Sequence, residues 1–152
     1  MGIKANFTRQ DIEKRFNAFL NEVERKQIAR LKMLGEMCVK HARDIPPSQG
    51  FQDQTGNLRS SIGYMVFKDG VAVHGAYNQV MQGSEGTKTG EALARKVGEA
   101  SKGICLVVTA GMNYALHVES TGRDVITSAE HLAQRELPRM LEELVSNIEH
   151  AA

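Results

Sequence analysis

Apolar residues along the chain fall into blocks of different period. In the first block Ile12, Phe16, Leu20 and Val23 recur at spacings of four, four and three. Ile28, Leu31, Leu34, Cys38 and Ala42 continue the stripe after a small phase shift. This period predicts an amphipathic helix over residues 8–43. Thr8 or Asp11 can cap its start, and Pro46-Pro47 ends it, because the residue before a proline disfavours helical backbone. Gly35 reads as a weak point in the helix interior. A helix this long exceeds what a small sheet can cover, so part of its apolar face is expected to meet a neighbouring subunit.

The second block alternates. Leu58, Ser60, Ile62, Tyr64 and Val66 share one face of a strand predicted over residues 58–67. Lys68-Asp69-Gly70-Val71 predicts a tight hairpin, since Asp-Gly suits a two-residue turn with positive φ, and residues 71–74 begin the return strand. A third strand is predicted over residues 104–109, whose nearly continuous apolar run marks it as the best buried of the sheet. The final block, Leu132, Ala133, Leu137, Leu141, Leu144 and Ile148, is helical again. Thr127-Ser128-Ala129-Glu130 fits a capping box at its start, and Pro138 is expected to kink or divide it.

Between the second and third strands lies a different kind of segment. Residues 75–103 contain Gly75, Gly83, Gly86, Gly90, Gly98 and Gly103 among Ser, Thr and Lys. Residues 91–97 can form two helical turns, but ordering the segment costs roughly 1–2 kcal/mol per residue, so a mobile loop that orders on assembly is expected. The whole reads as one α+β domain over residues 1–152. It has a small antiparallel sheet, with the long N-terminal helix and the C-terminal helix packed on one face.

Composition adds an asymmetry that the net charge of +1 conceals. Residues 1–44 carry ten Lys/Arg against six Asp/Glu, while residues 115–152 carry three against seven. Opposite ends of the chain can face each other within one monomer, or head to tail between copies. With no tryptophan and few aromatics, the core must rely on aliphatic residues and methionine. Cys38 and Cys105 sit in apolar stretches without metal-ligand spacing and read as reduced core residues. No secretory signal and no membrane-spanning run is visible, which predicts a cytoplasmic origin and no membrane partner.

Two short signatures remain. One is Asp53-Gln54-Thr55-Gly56-Asn57-Leu58-Arg59-Ser60-Ser61-Ile62, and the other is Asn113-Tyr114-Ala115-Leu116-His117-Val118-Glu119-Ser120-Thr121-Gly122. Gly56 permits a turn, Leu58 enters the core and Arg59 points the other way. Glu119 is the natural partner for Arg59, because guanidinium and carboxylate can pair through two parallel hydrogen bonds, so the two signatures are expected to brace each other. Tyr114, Ala115 and Val118 are expected to pack inward from one helical turn.

Together these signatures resemble the small tail components of long-tailed phages, the family typified by the tenth gene product of phage Hong Kong 97. The matching pattern is Pro, then Thr55-Gly56-x-Leu58-Arg59-x-Ser-Ile62, then Tyr114-Ala115-x-x-Val118-Glu119 and a small polar residue before Gly122, spanning roughly residues 30–125. Ser60 lies inside the first element. Two departures stand out: Ser120-Thr121-Gly122 replaces the family's more usual Gly-Thr step, and Glu130-His131-Leu132 stands where a proline–phenylalanine element is common. The resemblance implies a structural virion protein assembled in the bacterial cytoplasm. It would be a tail-completion or head–tail joining component working as a ring of six. Its partners would be further copies, the tail tube or terminator, and the head connector.

No catalytic or cofactor signature competes. His41, His74, His117, His131 and His150 show no His-x-x-x-His pair, and Ser60 or Ser61 lack the Gly-x-Ser-x-Gly elbow that exposes a nucleophile. Gly83-Ser84-Glu85-Gly86-Thr87-Lys88-Thr89 has the wrong glycine spacing for a phosphate loop. The reading from another class is non-specific nucleic-acid binding through Lys26, Arg30, Lys40 and Arg43 of the first helix and Lys88, Arg95, Lys96 and Lys102 of the 75–103 segment. In a ring, Lys88, Arg95 and Lys96 would contact either a neighbour or DNA passing through the lumen. Near-neutral net charge and the lack of an aromatic stacking platform argue against a dedicated binding module.

Overall fold

The computed structural model describes residues 6–151 together with Gly2 and Lys4. Helix α1 (Arg9–Asp44) begins at a reciprocal cap in which Thr8 accepts from the Asp11 amide and Asp11 accepts from the Thr8 amide. It ends at Ile45, which is extended because Pro46 follows. Its N-terminal part stands clear of the body: every residue from 9 to 22 is exposed, whereas Glu24 pairs with Lys68 at 2.7 Å and Leu34, Gly35, Cys38, Val39 and Ala42 are buried. Gly35 is no weak point. The Tyr64 ring lies directly against it, where a Cβ would stand.

The sheet has three antiparallel strands in the order β2-β1-β3, formed by β1 (Ile62–Lys68), β2 (Val71–Ala76) and β3 (Ile104–Ala110). Asp69 and Gly70 both take positive φ, 50° and 81°, as the Asp-Gly hairpin requires. Alternation along β1 divides two cores. Ile62, Tyr64 and Val66 face α1 and the final helix α5 (Thr127–Ala151), while Met65 and Phe67 face the opposite side.

The fold is therefore α+β, with α1 and α5 on one face as expected, but four local readings change. Residues 57–61 form a short helix, α2 (Asn57–Ser61), so β1 starts at Ile62 and Leu58 and Ser60 are not strand residues. The best-buried strand is the central one, β1; β3 is an edge strand, and six of its seven residues are only half-buried. Helix α5 runs unbroken through Pro138, which lies on its exposed side.

The largest difference is the expected loop at 75–103, most of which is helix α3 (Ser84–Gly98), laid across the second face of the sheet. Its buried residues are Gly86, Gly90, Ala94 and Gly98, a stripe of small side chains at intervals of four. That stripe lets the helix axis come close. Gly86 lies on the Asn57 carbonyl, Gly90 on the Ser61 carbonyl and Gly98 on the Phe67 ring. Thr109 Oγ1 donates to the Gly90 carbonyl at 3.1 Å and meets the Tyr77 hydroxyl at 2.6 Å, closing the layer.

Candidate functional site

The first signature is a hub of local hydrogen bonds. Gly56, at φ 82°, turns the chain into α2 against the Val80 carbonyl, a position closed to any side chain. Both carboxylate oxygens of Asp53 are used: the Gly56 amide donates to one at 2.9 Å and the Arg59 amide to the other at 2.8 Å. Thr55 Oγ1 accepts from the Asn57 amide at 3.3 Å. Leu58 and Ile62 are core residues, and Ser60 Oγ accepts from the Val80 amide at 2.7 Å. The Gly86 amide donates to Asn57 Oδ1 at 3.1 Å, tying the hub to α3.

Asp53 thus organises the turn that seats both α2 and α3. Asp53→Ala is expected to lose about 1–2 kcal/mol of stability, the range for removing a capping carboxylate, as read by urea unfolding. An unchanged midpoint would count against the hub.

The second signature forms α4 (Ala115–Ser120), with Ala115 buried and Val118 half-buried as expected. Tyr114 is not packed inward; it is 38% exposed. Gly122 turns the chain at φ 85° toward α5. Glu119 Oε1 accepts from the amides of Val125, Ile126 and Thr127 at 3.2, 2.7 and 2.9 Å, and from the Thr127 hydroxyl at 2.9 Å. The start of α5 is therefore held by Glu119, with Asp124 accepting from the Ser128 amide, and not by a Thr127–Glu130 capping box.

Arg59 and Glu119 do not pair. The Arg59 guanidinium donates to the Arg43 carbonyl at 2.7 Å and lies over the Phe51 ring at 5.3 Å. The flanks of the two signatures are joined by Arg123 instead. Its Nη1 donates to the Pro47 and Gly50 carbonyls at 2.9 and 3.2 Å, beside a parallel bridge between Gly50 and Asp124. Arg43 makes a similar tie, donating from Nη2 to the carbonyls of Ile62 and Asn78, both at 2.8 Å. Neither arginine was distinguishable in the sequence from an ordinary surface cation.

Lys88, Arg95 and Lys96 stand exposed on α3, and Arg95 is offset by Glu91 at 2.9 Å. Among the described residues no three His, Cys, Asp or Glu side chains are grouped to hold a metal ion, and no helix is long and apolar enough to cross a membrane. Cys38 and Cys105 are free thiols; Cys38 is buried and Cys105 half-buried.

Two apolar surfaces have no cover among the described residues. The first is the projecting half of α1, where Ile12, Phe16, Phe19 and Leu20 lie on one side and Phe16 is 60% exposed. The second is an open cavity of about 590 Å³ between α1, β3 and α5, lined by Leu31, Leu34, Leu106, Val108, Ala133 and Leu137 among others. This cavity accounts for the half-burial of Ile104, Leu106 and Val108, whose side chains line a groove that the two helices leave open.

Comparison with known proteins finds no match to a family model, a curated protein sequence or a solved structure.

Proposed function

We propose that this protein is a structural component of a long-tailed phage or prophage particle, acting at the head–tail junction as a tail-completion or joining component. It works by stoichiometric ring assembly and not by catalysis. One observation carries the reading: a folded body with an apolar arm and an apolar groove that the described residues leave uncovered. Such surfaces belong to a protein that is finished only in an assembly. The two signatures supply the class of assembly through their resemblance, and both lie where they set the geometry of the turns that seat α3 and α5.

On this reading the partners are further copies, the tail tube or terminator, and the head connector. The protein assembles in the bacterial cytoplasm and ends in the virion. Lys88, Arg95 and Lys96 lie on the opposite face of the sheet from the groove, available to a second neighbour or to passing DNA. Deleting the gene from an inducible source genome and examining the lysate by electron microscopy tests the role. Filled heads lying apart from finished or overlong tails are expected; intact infectious particles would remove the junction role. A salt-dependent shift of labelled duplex DNA would then favour nucleic-acid binding.

A further inference from the structure

The exposed arm and the open groove are both apolar, but they cannot meet within one molecule. Both belong to the same straight helix: the arm is residues 9–22 of α1, and Leu31 and Leu34 of α1 form a wall of the groove. At 1.5 Å per residue, Phe16 stands about 27 Å along the axis from Leu34, pointing away from the body. The arm therefore cannot fold back into its own groove. Ile12, Phe16, Phe19 and Leu20 stand at i, i+4, i+7 and i+8, the anchor spacing of an amphipathic helix that lies in an apolar groove.

Charge neither drives nor opposes the match: the arm carries three Lys/Arg against three Asp/Glu over residues 9–22, and the groove lining carries one charge of each sign, Arg30 and Glu130. Apolar contact is what remains to hold the two together. An isolated segment as short as the arm gains little from its own helical hydrogen bonds, so burial of its stripe would supply most of its order.

We infer that the arm of one copy docks into the α1–β3–α5 groove of the next, with Phe16 as the central anchor. Arm and groove are different surfaces, so the contact is head to tail, and repetition closes a ring where the rotation permits. This rests on the ring reading above and gives it a specific joint.

A benzophenone amino acid placed at position 16 tests the docking in a mixture of isotopically heavy and light protein. Native mass spectrometry of the wild type and of Phe16→Glu accompanies it. Heavy–light cross-links from position 16 to β3 or to residues 130–141 are expected. Phe16→Glu should weaken self-association roughly tenfold to a hundredfold, the loss for one buried aromatic anchor. At concentrations where the wild type is monomeric, the variant's unfolding midpoint should not move, since Phe16 is exposed and belongs to neither core cluster. Cross-links from arm to arm overturn the inference, as does a wild type that stays monomeric at every concentration. Closed rings that persist in Phe16→Glu overturn the docking and leave the ring reading standing. Cross-linked pairs or open chains without closed rings leave the docking standing and sink the ring.

Discussion

Gly90→Ala destabilises this protein by about 1–2 kcal/mol, and Gly90→Leu by about 3 kcal/mol or more, the upper end of the cost of overpacking. The sign is the informative part. In an exposed helix, replacing glycine by alanine stabilises by up to about 1 kcal/mol, because alanine has the better helix propensity. In a mobile loop the exchange does almost nothing. At Gly90 the new Cβ meets the Ser61 carbonyl and the Tyr77 ring, and the backbone of Gly111 lies against the same position. The added methyl must push α3 off the sheet, breaking the bond from Thr109 to the Gly90 carbonyl. Ala92 is exposed on the same helix and serves as the control: Ala92→Gly should cost about 1 kcal/mol from propensity alone. Urea unfolding of the three variants decides the matter. A midpoint that rises in Gly90→Ala would mean that α3 does not lie on the sheet as described.

That segment also marks where the sequence was misleading. Its glycines read as chain flexibility because glycine raises the entropy of the unfolded chain. Their spacing carried the opposite message. Gly86, Gly90, Ala94 and Gly98 recur every four residues, the period of one helix face. A helix with no side chains on that face buries little apolar area of its own, so a hydrophobicity pattern cannot see it. It is held by backbone proximity and by Ala94 against Met65 and Phe67.

The long helices, the hairpin and the antiparallel sheet were legible because each has an unmistakable local signal. Thr8 and Asp11 cap α1, Asp69-Gly70 turns the hairpin, and the two helical stripes meet over one face of the sheet. The assignment of burial among strands was not legible. Residues 104–109 are more continuously apolar than residues 62–68, yet strand order places β1 in the centre and β3 at an edge beside an open groove. The same limit holds for the arm: its stripe was readable as helix, but a helical period does not say how much of the stripe the body covers.

The pairing expected between the two signatures is not the one the structure shows. Opposite charges at Arg59 and Glu119 suggested a brace between segments, but neither charge is used that way. Long-range pairing is the part of a motif that a single sequence does not specify, since any cation matches any anion on paper. Local geometry decides instead. Glu119 ends a short helix whose next turn brings the amides of Val125, Ile126 and Thr127 within reach, and three aligned donors outcompete a distant guanidinium.

Removing that carboxylate is the second large effect expected. Glu119→Ala should cost about 2–3 kcal/mol, because it strips the first amides of α5 of a charged acceptor. Glu119→Gln keeps the shape and loses the charge, so about 1–2 kcal/mol is expected. Burial alone would push the Glu119 carboxyl upward, but the hydrogen bonds from Ile126, Thr127 and Val125 outweigh it and hold the group below its ordinary value of 4.5. For a carboxyl depressed in the folded state, the unfolded chain binds the proton first. Its contribution is therefore complete above the unfolded value and is lost as the pH falls through the folded one. The stability gap between wild type and Glu119→Gln should stay flat from neutral pH down to about 5, then close at lower pH. Subtracting the two curves cancels the other carboxylates, which both proteins share. A gap that persists undiminished in acid would assign the loss to shape and not to charge. Because α5 forms a wall of the groove through Ala133 and Leu137, loosening its first turns should also weaken self-association. Glu119→Gln should therefore lower self-association together with the stability of the monomer, whereas Phe16→Glu lowers self-association and leaves the monomer as stable as before, and that contrast separates the residue that shapes the groove from the one proposed to fill it.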